Sequence, residues 1–273
     1  MTRRSKCIAA LTTAAISGWA LASDSPPGDS GGQWQIAVGP YLWLPTVSGT
    51  LRFTVPGGGV DDASSGRYNH LQDLRFALML QGEARKGEWG VFADTIYLNF
   101  GRHDSSVNAT SGVLGTRETQ QDAQTSFAGT LVQLGGSRTV VRQEWGHVDA
   151  IAGLRYLGVK GTLDAAIGTT GGSGPGASSD FHVAQMQNIF DGFAGVRGRA
   201  NITEDGAWYI PFYLDVGTGS SKLTWQALTG LAYAAKWVDV GLLYRYLAFY
   251  GSGNQLVQTL RFSGPSLNVT FKF

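Results

Sequence analysis

Leu267-Asn268-Val269-Thr270-Phe271-Lys272-Phe273, the last seven residues, alternate without a break. Successive side chains of a strand point to opposite sides, so Leu267, Val269, Phe271 and Phe273 share one face while Asn268, Thr270 and Lys272 share the other. A strand with one greasy face and one wet face, tipped by an aromatic residue, suits a sheet whose outer side meets lipid. Strands can cross a bilayer only in a closed barrel, which leaves no edge unpaired. The chain is therefore expected to be an all-β, closed, antiparallel up-and-down transmembrane barrel. The apolar quartet is its expected assembly signal, read by the barrel-assembly machinery.

The same period of two recurs through the chain. In Trp34–Leu44 the even positions Trp34, Ile36, Val38, Leu42 and Leu44 are apolar. Phe76, Leu78 and Leu80 oppose Arg75, Gln81, Glu83 and Arg85, and after Lys86-Gly87-Glu88 come Trp89, Val91, Ala93 and Tyr97 opposite Asp94. Further strands are expected near 121–134, 147–159, 188–200, 207–217, 223–234, 238–249 and 265–273. Connections 86–88, 202–206 and 235–237 read as short turns. Connections 56–74, 101–120, 160–187 and 250–264 read as long, polar, Gly/Ser-rich loops. Outer-membrane barrels keep short turns in the periplasm and long loops outside. That parity holds if Trp34–Val55 crosses once, with 46–55 extending the first strand above the membrane and 255–262 extending a late hairpin. The expected count is ten strands, with twelve or eight as alternatives.

Charge assigns the faces. A cation on the lipid side at mid-membrane costs about 2–4 kcal/mol, so the ionic positions should point inward. They are Arg75, Glu83, Arg85, Asp94, Asp149 and Arg155, then Asp191, Arg197, Arg199, Asp215, Asp239 and Arg245, with Lys272 in the last strand. Both signs are nearly equal in number, which favours a paired network. Trp89 with Tyr97, and Trp225 with Tyr233, then lie outward. Eight residues at about 3.3 Å, tilted about 40°, separate each pair by roughly 20 Å of height, the spacing of two interfacial girdles. A soluble sandwich would also alternate, yet it gives no reason for that spacing.

The amino terminus agrees. Arg3, Arg4 and Lys6 precede an apolar run, Ile8 to Leu21, and Ala20-Leu21-Ala22 is a small-residue cleavage pattern, together a secretory signal peptide cut near Ala22. The run is too short for a span of about 20 residues. Cys7 precedes it, against a lipoprotein signal, and is the single cysteine of the chain. The expected divisions are signal peptide 1–22, flexible leader 23–32 and barrel 33–273. Hydrophobic residues make up 43%, aromatic residues 11%, and glycines number 39. The formal charge of +1 becomes −2 once three cations leave (18 basic against 20 acidic), which argues against a nucleic-acid partner.

Gly39-Pro40-Tyr41-Leu42-Trp43-Leu44-Pro45 followed by Ser48-Gly49-Thr50 resembles the opening of a broad family of uncharacterised proteobacterial outer-membrane barrels. Asp61-Asp62-Ala63-Ser64 and His70-Leu71-Gln72-Asp73-Leu74 resemble the acidic and amphipathic stretches that follow in that family. Gly82 to Gly87, Phe92 to Leu98, Ala152 to Tyr156, Gly195 to Gly198, Asp215 to Gly217, Thr224 to Gln226 and Tyr244-Arg245-Tyr246 continue the series in order. Phe190-Asp191-Gly192-Phe193 departs from the family's usual Trp-x-Asp-Pro, and the Gly-rich stretch 168–176 is peculiar to this chain. The resemblance implies a barrel in a Gram-negative outer membrane, in contact with lipid including lipopolysaccharide. It implies no reaction.

Function is read from the interior and the loops. The charges either close into a self-neutralising plug, giving a structural barrel, or line a narrow porin-like channel. Segment 61–74 is a candidate to fold inward and occlude the bore. Alternatives are a lipid-modifying hydrolase, for which His103-Asp104-Ser105 stand at the outer end of a strand, and binding or adhesion by the outer loops, with Phe181 and Met186 near the end of one. His70, His147 and His182 are too scattered for a zinc motif. Gly57-Gly58-Gly59 and Gly171-Gly172 follow no nucleotide-binding pattern, and Asn108-Ala109-Thr110 is an incidental glycosylation triplet. No enzyme, cofactor or metal is expected, and oligomeric state is open. Replacing an inward, paired Asp94 by Leu should lower the melting temperature or block assembly; unchanged heat-modifiable gel migration and melting would count against an Asp94 ion pair.

Overall fold

A computed structural model describes residues 32–55, 59–65, 74–109, 121–168, 178–251 and 256–273. The expected signal peptide, most of the leader and the stretches 56–58, 66–73, 110–120 and 169–177, with His70 and Gly171-Gly172, lie outside them. Alternation becomes strand throughout: β1 (Gln35–Trp43), β2 (Thr46–Val55), β3 (Gly59–Ser65), β4 (Leu74–Lys86), β5 (Trp89–Ala109), β6 (Gln121–Gln143), β7 (Gly146–Gly168), β8 (Ser178–Asn201), β9 (Trp208–Gly219), β10 (Leu223–Ala234), β11 (Val238–Tyr250) and β12 (Val257–Lys272).

The sheet closes on itself. Each strand from β4 to β12 pairs antiparallel with its successor, and β1 joins β4 to β12. Ala37 stands opposite Lys272 on one side and Glu83 on the other. At Leu44-Pro45 the first stave bends, because Pro45 has no N–H to give the ladder. Leu44 N–H still reaches the Pro265 carbonyl at 3.0 Å. β2 continues upward on β12 and leaves β4 behind, and β3 returns to fill the gap between β2 and β5, with Asp62 opposite Asn108. β1 and β2 thus form one stave of a barrel of ten, and 46–55 extends it as the pattern predicts. Of segment 61–74, expected as a candidate to occlude the bore, residues 61–65 are wall instead, paired with β2 and, over 61–64, with β5 as well; 66–73 lie outside the described residues.

The short turns sit at one end. Gly87 (φ 61°) and Gly206 (φ 66°) occupy left-handed positions that side-chain-bearing residues avoid. In the 202–207 turn the Thr203 hydroxyl and the Ala207 N–H hold the Asp205 carboxyl below the usual carboxylate range. The opposite end corrects the sequence reading. Stretches 160–187 and 250–264, expected as long loops, are largely sheet, and so are the described residues of 101–120: β5 runs to Ala109, β7 runs to Gly168, β8 starts at Ser178 and β12 starts at Val257. Strands of 23 residues such as β6 and β7 rise about 58 Å when tilted about 40°, against about 25 Å for the apolar band of a membrane barrel. The sheet therefore continues far beyond the barrel rim. Polar, glycine-rich composition concealed this, since a ladder is held by backbone bonds that composition does not report.

Outward positions of the described staves form a band. Leu78, Leu80, Val91, Leu134, Leu154, Leu214, Val216, Leu231, Val240 and Leu242 are exposed on it. From the short-turn end up to Lys160, Lys222 and Arg261, outward positions of the strand interiors carry no Asp, Glu, Lys or Arg among the described residues, apart from Arg138 beside the Trp89 end. Glycines set the inner wall. Phe92 lies against Gly135 and Phe193 against Gly153; a Cβ at Gly153 would sit 2.7 Å from the Phe193 ring and closer still to the Leu134 carbonyl oxygen. Gly153→Val should therefore cost about 1–3 kcal/mol, the penalty of an overpacked core, read as a lower urea midpoint of the barrel folded in lipid vesicles, with a smaller loss for Gly153→Ala.

Candidate functional site

The inside of the barrel is stacked in layers. At the short-turn end Lys272 Nζ lies 2.7 Å from Asp239 Oδ1, and the Tyr209 hydroxyl donates to Asp239 Oδ2 at 3.1 Å. Arg199 has no carboxylate partner among the described residues. Its Nε donates to Asn201 Oδ1 at 3.0 Å, its Nη2 donates to the Gly206 carbonyl, and its guanidinium stacks 3.9 Å from the Tyr209 ring centre.

One step up, Glu83 and Asp149 alternate with Arg85 and Arg197. Arg85 pairs with Asp149 and lies 3.2 Å from Glu83; Arg197 pairs with Glu83 and lies 3.6 Å from Asp149. Thr139 Oγ1 donates to Asp149 at 2.8 Å, and Arg197 covers the Phe92 ring. Across the bore, Arg245 holds Asp94 at 2.8 Å, the Tyr41 oxygen at 3.0 Å and Gln226 Oε1 at 2.9 Å, while the Tyr41 hydroxyl donates to Asp94 at 2.6 Å. Each charge has a partner of opposite sign and further polar contacts, which is the condition for keeping ions inside a protein.

Above these lies the Arg155–Asp215 pair, with both side chains 0% exposed. Arg155 also donates to Gln133 at 3.3 Å and to Thr224 at 2.9 Å. Asp191 stands apart: it is buried, and it accepts the Ser221 N–H at 2.8 Å. Arg75 is placed by its backbone in β4, its side chain being outside the described set. His103, Asp104 and Ser105 are likewise placed by backbone alone, in β5 opposite Thr125, Gln124 and Ala123.

The upper interior is apolar, where charge pattern alone suggested an ionic bore. Trp43, Val47 and Leu51 of the first stave meet Ile96, Leu98, Leu157, Val159, Leu247, Phe249, Leu260 and Phe262 in one buried cluster. Val257 donates its N–H to Gln187 Oε1 at 2.8 Å across the mouth, and Leu256 beside it is buried. A void of about 20 Å³ is left among Trp43, Leu131, Leu157 and Phe262. By contrast, a polar cavity of about 360 Å³ occupies the short-turn half, between the charged wall of β4, β7 and β8 and a wall carrying Pro211, Leu228, Ala232 and Leu243. Sequence reading missed the apolar half. Its signal was Tyr246-Leu247-Ala248-Phe249-Tyr250, a run greasy on both faces.

On the outside, Trp89 is 64% exposed at the short-turn end. Tyr233 packs on Trp208 at 5.1 Å at that same end, and Trp237 stacks on Phe271 at 6.0 Å. Trp225 stacks on Tyr246 at 4.6 Å toward the far rim, the end to which Tyr97 also belongs. Leu267 and Phe273 are exposed, and Val269 and Phe271 lie half-buried on the same outer face.

The chain matches no family model and no curated protein. Its fold overlaps solved barrels loosely. The translocator domain of the autotransporter NalP from Neisseria meningitidis is 17% identical, covering 90% of each chain at a TM-score of 0.37. The outer membrane protease OmpT from Escherichia coli is 8% identical over 89% of this chain and 96% of its own, at 0.44. Ail, the attachment invasion locus protein of Yersinia pestis, is 11% identical over 89% and 99%, at 0.31. At these levels none of their activities transfers.

Arg155→Met leaves Asp215 buried without its counter-ion and should cost about 3–5 kcal/mol, whereas Arg155→Met combined with Asp215→Leu should recover most of that loss. Urea unfolding followed by tryptophan fluorescence in vesicles reads both; equal losses in the single and double variants would contradict the pairing.

Proposed function

We propose that this chain is a Gram-negative outer-membrane β-barrel that works as a closed cylinder, a structural element of the membrane rather than an open pore. Support for the membrane comes from the outward band. Among the described residues it is apolar, free of acids and bases across the strand interiors apart from Arg138 beside Trp89, and bounded by aromatic residues at both ends. Lipid, including lipopolysaccharide, is its surrounding partner. The signal peptide ending near Ala22 is removed on export, and the barrel-assembly machinery reads the Phe273 strand. The short-turn end then faces the periplasm.

Closure rests on one observation above all. The Arg155–Asp215 pair lies without solvent exposure beneath the apolar cluster. An ion entering from below would have to break that pair and then shed its water against Trp43, Leu157 and Phe249, in a medium where an unpaired charge costs several kcal/mol. The second reading, a narrow porin-like path, draws support from the 360 Å³ polar cavity, which would be its periplasmic half.

Reconstituted in planar bilayers, the wild-type protein should give no defined conductance steps. Reproducible single-channel openings would replace closure with the path, and release of fatty acid from the lipid would replace both with a hydrolase.

A further inference from the structure

We propose that the cavity at the short-turn end is a binding site for a small amphiphilic organic acid, a carboxylate on a short hydrocarbon, entering from the periplasmic side. The proposal relies on the closed-barrel reading only for the cavity being a dead end. Three features carry it. The first is size: about 360 Å³ falls within the range of small-molecule pockets, about 300–1,000 Å³.

The second is charge. The lining holds five cations, Arg85, Arg197, Arg199, Arg245 and Lys272, against four acids, Glu83, Asp94, Asp149 and Asp239. Five minus four leaves one positive charge. Arg85, Arg197, Arg245 and Lys272 each have a carboxylate within 4 Å, so the excess resides on Arg199. An arginine has five N–H donors, and Asn201 and Gly206 take two of those on Arg199. The remaining donors suit a carboxylate, which a guanidinium fork binds through two parallel bonds. Tyr209 fixes the plane of the fork from one side, so little freedom is lost on binding.

The third is the opposite wall. Arg199 is paired in register with Pro211, and the strands beyond contribute Leu228, Ala232 and Leu243 to the same cavity. One side of the space thus offers an anion site and the adjoining side hydrocarbon. A purely inorganic anion would leave that apolar surface wet, while a neutral hydrocarbon would leave Arg199 without a counter-charge. The other ionic groups facing the cavity are already paired with one another, so they add polarity without attracting a second charge.

Hexanoate titrated into the refolded barrel in detergent micelles, followed by calorimetry and by the side-chain Nε–H resonance of Arg199, tests this. Hexanoate should bind saturably at one site and shift that resonance. 1-Hexanol and inorganic phosphate should each bind at least tenfold more weakly. Arg199→Gln should lower hexanoate affinity at least tenfold, and Arg199→Lys, which keeps the charge, should restore part of it. Heat-modifiable gel migration confirms that each variant is folded. Absence of saturable binding to the folded wild type, equal binding by folded Arg199→Gln, or phosphate binding as tightly as hexanoate would overturn the site. Planar-bilayer recording of the same preparation separates the two claims: a conducting barrel that still binds hexanoate refutes closure alone, and a silent barrel that does not bind refutes the site alone.

Discussion

Ionic side chains on this barrel have one direction in which to point. The outer band presents Leu, Val, Ala and aromatic residues, and in the proposed membrane setting a charge placed there would face hydrocarbon. Facing inward exposes it to a second penalty, because the bore of a ten-stave barrel holds little water. The solution adopted is pairing: Glu83 with Arg85 and Arg197, Asp94 with Arg245, Asp149 with Arg85 and Arg197, Asp215 with Arg155, Asp239 with Lys272. Four of them, Glu83–Arg197, Asp149–Arg85, Asp94–Arg245 and Asp215–Arg155, join strands that are not neighbours in the sheet, so they help fix which stave faces which across the bore. Thr139 and Tyr41 donate hydrogen bonds to the acids, and Thr224 and Gln133 accept from Arg155, which offsets part of the desolvation cost.

The interior is not uniform along its axis, and that asymmetry gives the molecule its shape. Below, ions and glycines leave an unfilled polar space. Above, large apolar side chains pack together in the bore, and Val257 is tied to Gln187 across the mouth. The change occurs at the pair of Arg155 and Asp215; the Arg155 guanidinium also covers Phe193, so this ion pair is seated on an aromatic ring. Above the rim the wall continues as tall antiparallel ribbons, β5 to β8, with the β2–β3 hairpin completing one side.

Two glycine uses separate clearly. Gly87 and Gly206 permit chain reversal at the short turns through their positive φ. Gly135 and Gly153 instead make shallow places in the inner wall where Phe92 and Phe193 lie flat. The second use lets aromatic rings occupy a narrow bore without pushing the staves apart. It also accounts for part of the high glycine content.

The alternation was legible in the sequence, and with it the class of fold, a first stave continuing into 46–55, a count of ten in preference to twelve or eight, and the placing of Asp94, Asp149, Arg155, Arg197 and Arg245 on the face opposite the apolar residues. These follow from a period of two and from the price of charge against lipid, both local properties. Tertiary structure alone decided the partners. Arg155 takes Asp215 rather than Asp191, its register neighbour on β8, because pairing across a curved wall depends on how staves are staggered around the cylinder. It alone revealed that Leu157, Leu247 and Phe249 face inward and fill the upper bore, that the described parts of the stretches expected as loops continue as sheet, and that Arg199 has no carboxylate partner among the described residues. Alternation says which face a residue shares; only closure of the cylinder decides what stands opposite.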